Sequence, residues 1–383
     1  MRRYLEEPIG KDLREKIVLL SGPRQVGKTT LSKQLVPSYS YFNYDAAKDR
    51  ALLEKEEWDT SVDLLVFDEL HKRKNWKSWI KGIYDTRGVP PGLLVTGSAR
   101  LDVLRKAGDS LAGRFYSYRL HPLTVKEIHE NLGESPHIAL EGLLRFGGFP
   151  EPYLKKDETG AKRWRRTHGD TIVRGDLLDL ESVRDLRSIE ILVDLLKERV
   201  GSTTSYSSLA GDLQVSIHTV RHWLEILERL CLIFSVRPYH RNIVRSILKE
   251  PKYYFYDVGS VEAGQGPRLE NAVASALLRE LHWIEDIAGS RVALHYLRDK
   301  EKNEVDFLAV IDGRPVLMVE VKAGDDSFSK ALFRFQDALP GVPAVQAVYG
   351  LERRKNRAGV EMVSAQDFLA GLSLGGTPHF IRP

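Results

Sequence analysis

The chain has 383 residues, of which 42% are apolar and 29% are charged, and its formal net charge is +4. This length favours two or three domains, and the composition is that of a water-soluble globular protein. The absence of any run of about 18 apolar residues excludes a membrane-spanning helix, and the N-terminus lacks the apolar core of a signal peptide. We therefore expect a cytoplasmic protein with no membrane partner. Its single cysteine, Cys231, excludes an internal disulfide.

The first predicted strand, residues 17–20, leads into a phosphate-binding loop. Residues 22–29, Gly-Pro-Arg-Gln-Val-Gly-Lys-Thr, fit G-x-x-x-x-G-K-[ST] without a mismatch and precede a helix-compatible stretch. The two glycines let backbone N–H groups face a polyphosphate, while Lys28 reaches the terminal phosphates and Thr29 ligates Mg²⁺. The predicted nucleotide-binding residues are Gly22, Pro23, Arg24, Gln25, Val26, Gly27, Lys28, Thr29 and Thr30.

Another apolar strand, residues 62–67, ends in two acids, Asp68 and Glu69. If this strand runs parallel to the first, Asp68 lies near Thr29 and holds Mg²⁺ through water, and Glu69 orients and activates the attacking water. The alternative is a solvated acidic turn. Further strands are predicted at 39–44, 93–98 and 115–120. Ser98 falls where its hydroxyl contacts the attacking water or the γ-phosphate.

Several motifs together resemble the AAA+ ATPase family of archaea and bacteria that carries a C-terminal domain of unknown function. The resemblance extends over nearly the whole chain and rests on residues 22–30, 64–69, 96–100, 110–114 and 120–123. It implies a five-stranded parallel sheet between helices, ATP as the nucleotide, and Ser98 in the sensor position. Lys28 and Glu69 then take catalytic roles on the phosphates and on the water.

The resemblance also implies an arginine that neutralises charge on the γ-phosphate, commonly supplied by a neighbouring subunit. Arg114, late in the sheet after a predicted helix, is our candidate for this role. A homo-oligomer, such as a ring, follows from this assignment. Arg100 and Arg119 are rival candidates, and a structural ion pair is the alternative for each of them.

Residues 147–152, Gly-Gly-Phe-Pro-Glu-Pro, break regular structure and predict a hinge, so we assign residues 1–150 to the ATPase core. A helix predicted at 162–180 begins Lys-Arg-Trp-Arg-Arg, a combination that suits a phosphate backbone and a stacked base. Arg163, Arg165 and Arg166 are therefore candidate DNA contacts. A solvated helix face is the alternative.

Residues 188–238 have the pattern of a helix-turn-helix with a following wing strand. An amphipathic helix, a short helix, a turn and a longer helix occur in order, and we assign residues 151–250 to a helical linker or lid and a winged helix-turn-helix. The outward residues that would face a major groove are His218, Thr219, Arg221 and His222. Winged helices also contact proteins, so that alternative stays open.

Residues 251–383 contain two predicted strands, 303–308 and 316–322, around a turn at Gly313. The hairpin places Asp306 almost opposite Glu320, with Lys322 on the same face as Glu320. This D…E-x-K arrangement resembles the PD-(D/E)xK restriction-endonuclease-like fold, with Glu270 as a fourth member. The resemblance implies a divalent metal on Asp306 and Glu320, with Lys322 positioning the nucleophile. The alternative is a structural ion pair or a surface that only binds DNA.

The predicted fold class is thus α/β, with a P-loop AAA+ core on a parallel five-stranded sheet, a winged helix-turn-helix, and a restriction-endonuclease-like α/β domain. The predicted function is an ATP-hydrolysing AAA+ protein that couples nucleotide binding to DNA binding or remodelling, with branched DNA as one candidate. Two alternatives remain. One is a nucleotide-controlled signalling or defence switch with a protein-binding C-terminal domain, and the other is an ATP-gated, metal-dependent nuclease.

Overall fold

A computed structural model describes residues 1–97, 111–176, 185–240 and 250–375. The chain forms two compact units, which we describe separately. The first consists of Met1–His121 with Arg229–Cys231, and the second of Pro122–Glu228 with Leu232–Pro383. The hinge predicted at 147–152 lies inside the second unit, because the helices that precede it pack there.

The first unit alternates helices and strands. Its strands are β1 (Ile17–Ser21), β2 (Tyr39–Asn43), β3 (Leu64–Asp68), β4 (Gly92–Thr96) and β5 (Phe115–Arg119). Its helices are α1 (Glu6–Asp12), α2 (Lys28–Gln34), α3 (Ala47–Lys55) and α4 (Trp76–Arg87), with a 3₁₀ turn at Leu70–Lys72. The alternation is typical of a sheet whose two faces are covered by helices.

The five strands form one parallel sheet in the order β2-β3-β4-β1-β5, which confirms the predicted five-stranded core. All residues of β1, β3 and β4 are buried, as expected for central strands covered on both faces. Because the strands are parallel, their carboxyl ends meet at one edge. The loop after β1 and the two acids at the end of β3 therefore lie at the same edge of the sheet.

Aromatic packing anchors the strand that carries the two acids. Phe67 is fully buried and contacts Trp58 and Trp79 edge-on, with ring centroids 6.1 Å and 5.6 Å away. Such edge-to-face pairs contribute roughly 0.5–1.5 kcal/mol each beyond the area that they bury. The position of Asp68, the next residue, is thus set by packing on the opposite face of β3.

The helices of the second unit occupy most of its N-terminal half. They are α5 (Val125–Leu132), α6 (Pro136–Phe146), α7 (Pro150–Lys155), α8 (Glu158–Asp170), α9 (Leu186–Glu198), α10 (Tyr206–Leu213) and α11 (Ile217–Arg229). A π-helical turn, Thr171–Asp176, follows α8. Helix α8 begins earlier than predicted because the Asp157 side chain accepts hydrogen bonds from the first-turn N–H groups of Thr159 and Gly160.

Helices α9, α10 and α11 reproduce the predicted succession of a helix, a short helix, a turn and a longer helix. The Ser216 hydroxyl accepts a hydrogen bond from the Thr219 N–H at 3.0 Å and caps α11. The inner stripe of α11, which includes Val220, Leu224 and Leu227, is buried. Strand β6 (Ile233–Pro238) follows and pairs antiparallel with β7 (Lys252–Phe255).

One sheet unites β6 and β7 with the strands of the C-terminal segment. The remaining strands are β8 (Val292–Arg298), β9 (Glu304–Ile311), β10 (Arg314–Lys322), β11 (Ala344–Val348), β12 (Lys355–Arg357) and β13 (Val360–Ser364). The order is β12-β13-β11-β10-β9-β8-β6-β7, so β6 pairs directly with β8 through Arg237 and Pro238. Strands on the two sides of the domain limit predicted at residue 250 thus share one sheet.

Three helices accompany this sheet. They are α12 (Gln265–Ala288), α13 (Lys330–Ala338) and α14 (Ala365–Ala370). Helix α12 has 24 residues and presents Leu269, Val273 and Leu277 to the interior, but it also carries several charged residues. Within the described ranges, every helix is either too short or too polar to cross a membrane.

Candidate functional site

The phosphate-binding loop lies between β1 and α2, where the motif predicts it. Gly22 has φ +145° and Gly27, the N-cap of α2, has φ +102°, both in the region that favours glycine. A Cβ atom on Gly22 would stand 2.3 Å from the Leu120 carbonyl oxygen, so a larger residue does not fit there. Pro23, Arg24, Gln25 and Val26 form the body of the loop, and Thr30 lies in the first turn of α2.

Lys28 is the cation of the loop. Its side chain is 8% exposed, and Nζ donates hydrogen bonds to the carbonyl oxygens of Gly22 at 3.0 Å and Pro23 at 2.6 Å. Burial lowers the pKa of Lys28 to about 8, against the opposing effect of the nearby carboxylates of Glu69 and Asp68. The ammonium group is held over the concave side of the loop, where it can reach the terminal phosphates of a nucleotide.

Asp68 is fixed by three hydroxyl groups. Its Oδ2 accepts hydrogen bonds from Thr29 Oγ1 at 2.9 Å and from the Tyr41 hydroxyl at 2.6 Å. Its Oδ1 accepts one from Thr96 Oγ1 at 2.6 Å. The predicted proximity of Asp68 and Thr29 is present, while Tyr41 and Thr96 are partners that the sequence analysis missed. Tyr41 lies in the middle of β2 and Thr96 at the end of β4, the two strands that flank β3.

The residues around Asp68 fit a magnesium ion. Mg²⁺ binds hard oxygen donors, and it usually keeps several waters while taking one or two protein ligands. The Asp68 carboxylate and the Thr29 hydroxyl supply such donors 2.9 Å apart, next to the loop that would hold the phosphates. Asp68 is 6% exposed, so its carboxylate is preorganised rather than freely solvated.

Glu69 follows directly and has a different environment. Its backbone is left-handed, with φ +57°, and its N–H donates to the Thr96 carbonyl at 2.9 Å, which turns the side chain away from that of Asp68. Oε2 lies 3.5 Å from Lys72 Nζ and 3.6 Å from His71 Nε2 but forms no hydrogen bond. Burial raises the pKa of Glu69, with Lys72 acting against the shift. A raised pKa suits a carboxylate that must take up a proton.

The predicted sensor residue and the three candidate arginines lie in two parts of the chain. Ser98 and Arg100 lie outside the described residues. Arg114 immediately precedes β5, and its carbonyl accepts a hydrogen bond from the Ile17 N–H at 3.0 Å. The five residues of β5 therefore separate it by about 16 Å from the phosphate-loop edge of the sheet. Arg119, at the other end of β5, lies level with Ser21.

Arg114 is engaged within its own unit. Its Nε lies 2.6 Å from Asp85 Oδ1, so the ion pair that the sequence analysis kept as an alternative is present. Because both side chains are more than a third exposed, this pair is only weakly stabilising. Another anion can therefore replace the Asp85 carboxylate beside Arg114 at a small cost in free energy. Arg114 therefore lies too far from the phosphate loop of its own chain to contact a bound nucleotide there.

The basic run on α8 divides into inward and outward residues. Trp164 stacks on His168 at a centroid distance of 4.5 Å and also contacts Phe149, so this ring packs internally instead of being presented to a base. Arg165 is half-buried, and its Nε lies 3.3 Å from Asp257 Oδ2. Arg163 and Arg166 are exposed. The run is thus amphipathic, which its composition alone does not reveal.

The four outward residues predicted for α11 lie in its first two turns. His218 and Arg221 are exposed, while Thr219 and His222 are half-buried. Arg221 lies over the Tyr206 ring, 4.8 Å from its centroid, and the Thr219 hydroxyl contacts that of Ser216 at 2.9 Å. The start of the helix therefore presents a histidine and an arginine to the surface.

The C-terminal hairpin has the predicted register. Val319 of β10 pairs with Phe307 of β9, which places Glu320 opposite Asp306. Asp306 Oδ2 accepts a hydrogen bond from the Val321 N–H at 2.9 Å, and Lys322 Nζ lies 2.8 Å from Glu320 Oε1. The structure therefore brings Asp306, Glu320 and Lys322 together.

Glu270 joins this cluster from α12. Burial and the charge of Asp306 raise the pKa of Glu270 to about 8. The same two causes, in the same order, raise the pKa of Glu320 to about 7. Burial also raises the pKa of Asp306 itself. These raised pKa values indicate that several carboxylates lie close together in a site that water reaches poorly.

Sequence analysis missed the cation in the middle of the cluster. Lys252, on β7, is 1% exposed, and its Nζ lies 2.7 Å from Glu304 Oε1, 3.3 Å from Glu270 Oε1 and 3.6 Å from Asp306 Oδ1. Burial acts to lower the pKa of Lys252, but the three carboxylates outweigh it and the net shift is upward. Glu304 had a signal, since it shares a strand face with Asp306, two residues away.

The acidic cluster does not fit a divalent metal. In the part of the chain that the structure describes, no three acidic, imidazole or thiol side chains are arranged as ligands of one ion. Three of the four carboxylates, those of Glu270, Glu304 and Asp306, face the Lys252 ammonium instead. The predicted metal-binding role of Asp306 and Glu320 remains a prediction without a matching geometry.

Three family models match successive parts of the chain. An AAA domain matches residues 14–129, a domain of unknown function (DUF8612) matches residues 138–266, and another (DUF4143) matches residues 265–367. The first match covers the parallel sheet with its phosphate loop. The third covers the hairpin that carries Asp306 and Glu320.

Curated relatives align over most of the chain. An uncharacterized protein of Mycobacterium tuberculosis is 26% identical over 329 residues, which cover 83% of this chain and 73% of that protein. An uncharacterized protein of Methanocaldococcus jannaschii is 23% identical over 359 residues, which cover 85% of this chain and 79% of that protein. A bacterial and an archaeal protein thus align with this chain over most of their length.

Solved structures match less closely. A RuvB variant of Thermotoga maritima aligns with a TM-score of 0.31 and 16% identity, over 60% of this chain and 88% of that one. A signal transduction ATPase with numerous domains from Pyrococcus horikoshii aligns with a TM-score of 0.25 and 13% identity, over 74% of this chain and 48% of that one. The matched AAA domain model, together with the parallel sheet and its phosphate loop, supports an AAA+ ATPase with a C-terminal domain of unknown function.

Proposed function

We propose that this protein hydrolyses ATP with Mg²⁺ at the carboxyl edge of its parallel sheet and couples the turnover to DNA binding or remodelling. The observation that carries the ATPase assignment is the difference between two adjacent acids. Asp68 is bonded to three hydroxyl groups, including that of Thr29. Glu69, the next residue, is half-buried, and its buried Oε2 atom forms no hydrogen bond. One acid is thus fixed for metal binding, and the other is available to a water molecule.

The residues divide the chemistry as follows. Backbone N–H groups between Gly22 and Thr29 bind the phosphates, and Lys28 neutralises charge on the terminal ones. Thr29 and Asp68 would hold Mg²⁺, which would neutralise the negative charge that develops on the phosphates during the reaction. Glu69 orients a water molecule and takes its proton while the water oxygen bonds to the γ-phosphorus. The bond from that phosphorus to the β–γ bridging oxygen breaks, which gives ADP and phosphate.

A homo-oligomer completes the site. Arg114 is about 16 Å from the phosphate-loop edge of its own sheet, but it is partly exposed, and its side chain is held by Asp85 and by the Ala112 carbonyl at 3.3 Å. In a ring or a similar assembly it would approach the γ-phosphate bound by a neighbouring chain. Its guanidinium would then exchange the Asp85 carboxylate for the phosphate oxygens.

Contact with DNA is supported by a basic cavity in the second unit. The cavity has a volume of about 610 Å³ and is lined by six cationic residues, Arg145, Lys162, Arg165, Arg166, Lys197 and Arg268. Nearby acidic residues engage some of them, since Arg145 pairs with Glu158 and Lys197 with Glu262. Within the described ranges, no carboxylate pairs with Lys162 or Arg166. These two exposed side chains are free to bind backbone phosphates.

The test is ATP turnover and DNA binding with single-stranded, duplex and branched DNA. We expect DNA to stimulate turnover, and we expect the double variant Lys162→Ala/Arg166→Ala to bind DNA about tenfold more weakly. If both residues contact phosphates, the slope of log affinity against log salt decreases by about 2. The control is Lys330→Ala/Arg353→Ala, which removes two exposed positive charges elsewhere in the same unit.

Two outcomes would contradict the DNA assignment. One is ATP turnover that no form of DNA changes, which would favour the nucleotide-controlled switch that binds protein. The other is equal loss of DNA binding in the test and control variants, because nonspecific charge would then explain the binding. The ATPase assignment survives either outcome, since it rests on the first unit alone.

A further inference from the structure

The carboxylate cluster of the C-terminal sheet contains its own cation. We propose that the Lys252 ammonium group is the resident counter-ion of Glu270, Glu304 and Asp306, and that it closes this cluster to divalent metal ions. The three carboxylate oxygens lie 2.7–3.6 Å from Nζ, which is the range of direct ion pairs. The inference concerns the second unit and does not depend on ATP turnover.

The position of Lys252 is set by the sheet. Lys252 pairs with Val236 of β6, and it also forms an isolated bridge with Thr203. Its ammonium group lies 5.6 Å from the centroid of the Tyr296 ring, so an aromatic face adds to the electrostatic attraction. A side chain that is 1% exposed and held in this way has little freedom to leave the cluster.

Most oxygens of the three carboxylates around Lys252 already have partners. Asp306 directs Oδ1 at Lys252 and Oδ2 at the Val321 N–H. Glu270 Oε1 faces Lys252 and also accepts the Tyr254 hydroxyl at 2.6 Å. Glu304 directs Oε1 at Lys252, while its Oε2 lies 3.6 Å from Arg298 Nη1. A metal ion would have to displace these partners.

Glu320 is the exception within the cluster. It is 5% exposed, its Oε1 pairs with Lys322, and its Oε2 has no hydrogen-bond partner. One buried carboxylate oxygen without a partner is too little by itself to hold a divalent ion, which takes six or more ligands with at least one or two carboxylates. Removal of the Lys252 charge would release Glu270 and Asp306 to join Glu320. The variant would then gain a metal site that the natural chain lacks.

The test is Mn²⁺ binding to the full chain without nucleotide, measured as the decrease in the free Mn²⁺ electron paramagnetic resonance signal. The variants are Lys252→Met and Lys252→Arg, each with and without Glu320→Gln. We expect Lys252→Met to bind one Mn²⁺ more than the natural chain does, with an affinity on the order of tenfold or more above any that the natural chain has for Mn²⁺ at this cluster. Glu320→Gln should abolish this gain. Lys252→Arg keeps the positive charge and should gain no site.

Folding is followed in the same samples by circular dichroism and thermal denaturation. Removing one partner from a buried ion cluster is destabilising, so Lys252→Met should melt at a lower temperature and regain part of the loss when Mn²⁺ is added. Metal bound at the phosphate loop cancels in these comparisons, because Glu320→Gln leaves that site unchanged.

Two results would overturn the inference. The first is Mn²⁺ binding by the natural chain that Glu320→Gln removes, since the cluster would then be an open metal site with Lys252 in place. The second is a folded Lys252→Met protein that gains no Mn²⁺. If Lys252→Met fails to fold, the comparison of the natural chain with Glu320→Gln still decides, because the inference requires the two to bind Mn²⁺ equally.

Discussion

Replacing Glu69 by glutamine should reduce ATP turnover by about 10²–10⁴-fold while ATP binding is retained. An amide of the same shape still fits the half-buried position beside Lys72, but it cannot accept the proton of the attacking water. The affinity for ATP should stay within about threefold of the natural value, because Glu69 is not among the groups that bind the phosphates. Steady-state turnover and equilibrium titration with ATP measure the two quantities separately.

The matched control for this prediction is Glu54→Gln, an equally isosteric change on the exposed surface of α3. It should leave both turnover and binding unchanged. Turnover in Glu69→Gln equal to that of the control would remove Glu69 from the chemistry. A loss of turnover together with a loss of ATP binding would instead indicate a structural role for the left-handed residue that follows β3.

The second large effect is expected at Asp68. Asp68→Asn should reduce turnover by about 100-fold or more and raise the Mg²⁺ concentration needed for half-maximal turnover, because an amide is a poor magnesium ligand. The Asp68 carboxylate accepts hydrogen bonds from three hydroxyl groups. In Asp68→Asn an amide nitrogen replaces one of the two oxygens, and this nitrogen cannot accept a hydrogen bond. We expect a loss of about 1–3 kcal/mol in the free energy of unfolding. Denaturant titration and Mg²⁺-dependent kinetics are the measurements.

Asp59→Asn provides the comparison, since Asp59 also accepts a hydroxyl hydrogen bond, from Ser61, but is exposed. It should change neither stability nor the magnesium requirement appreciably. An Asp68→Asn protein with unaltered magnesium dependence would contradict the assigned metal site. Reduced stability alone, with normal turnover, would show that the three hydroxyl contacts serve only the fold.

The site could be predicted from sequence where spacing alone determines geometry. The phosphate loop follows from fixed residue types at fixed spacing, and Asp68 meets Thr29 because parallel strands end at one edge. The same holds for the C-terminal hairpin, where the two-residue period and the turn at Gly313 place Asp306 opposite Glu320. These predictions need only the spacing of residues along the chain and the relative direction of two strands, parallel in the first case and antiparallel in the second.

What escaped prediction depends on the order of strands in each sheet. Tyr41 and Thr96 reach Asp68 because β2 and β4 are the two neighbours of β3, an order that no local pattern states. Lys252 reaches Glu270 and Asp306 because one sheet joins β7 to the C-terminal strands.

In the basic run on α8, sequence analysis could not separate the inward residues from the outward ones. A tryptophan among cations is compatible both with base stacking and with a packed face, and composition does not distinguish them. The structure places Trp164 against Phe149 and His168 and engages Arg165 with Asp257. Only the neighbours of a helix decide which of its faces is buried.

Binding of ATP with Mg²⁺ tests the central claim most directly. Calorimetric titration should find one ATP per chain, and Lys28→Ala should weaken the affinity by about 100-fold, because it removes the cation that faces the terminal phosphates. Lys48→Ala, an exposed lysine in α3, should bind as the natural chain does. A natural chain that takes up no ATP in the presence of Mg²⁺, or a Lys28→Ala variant that binds it equally well, would contradict the account.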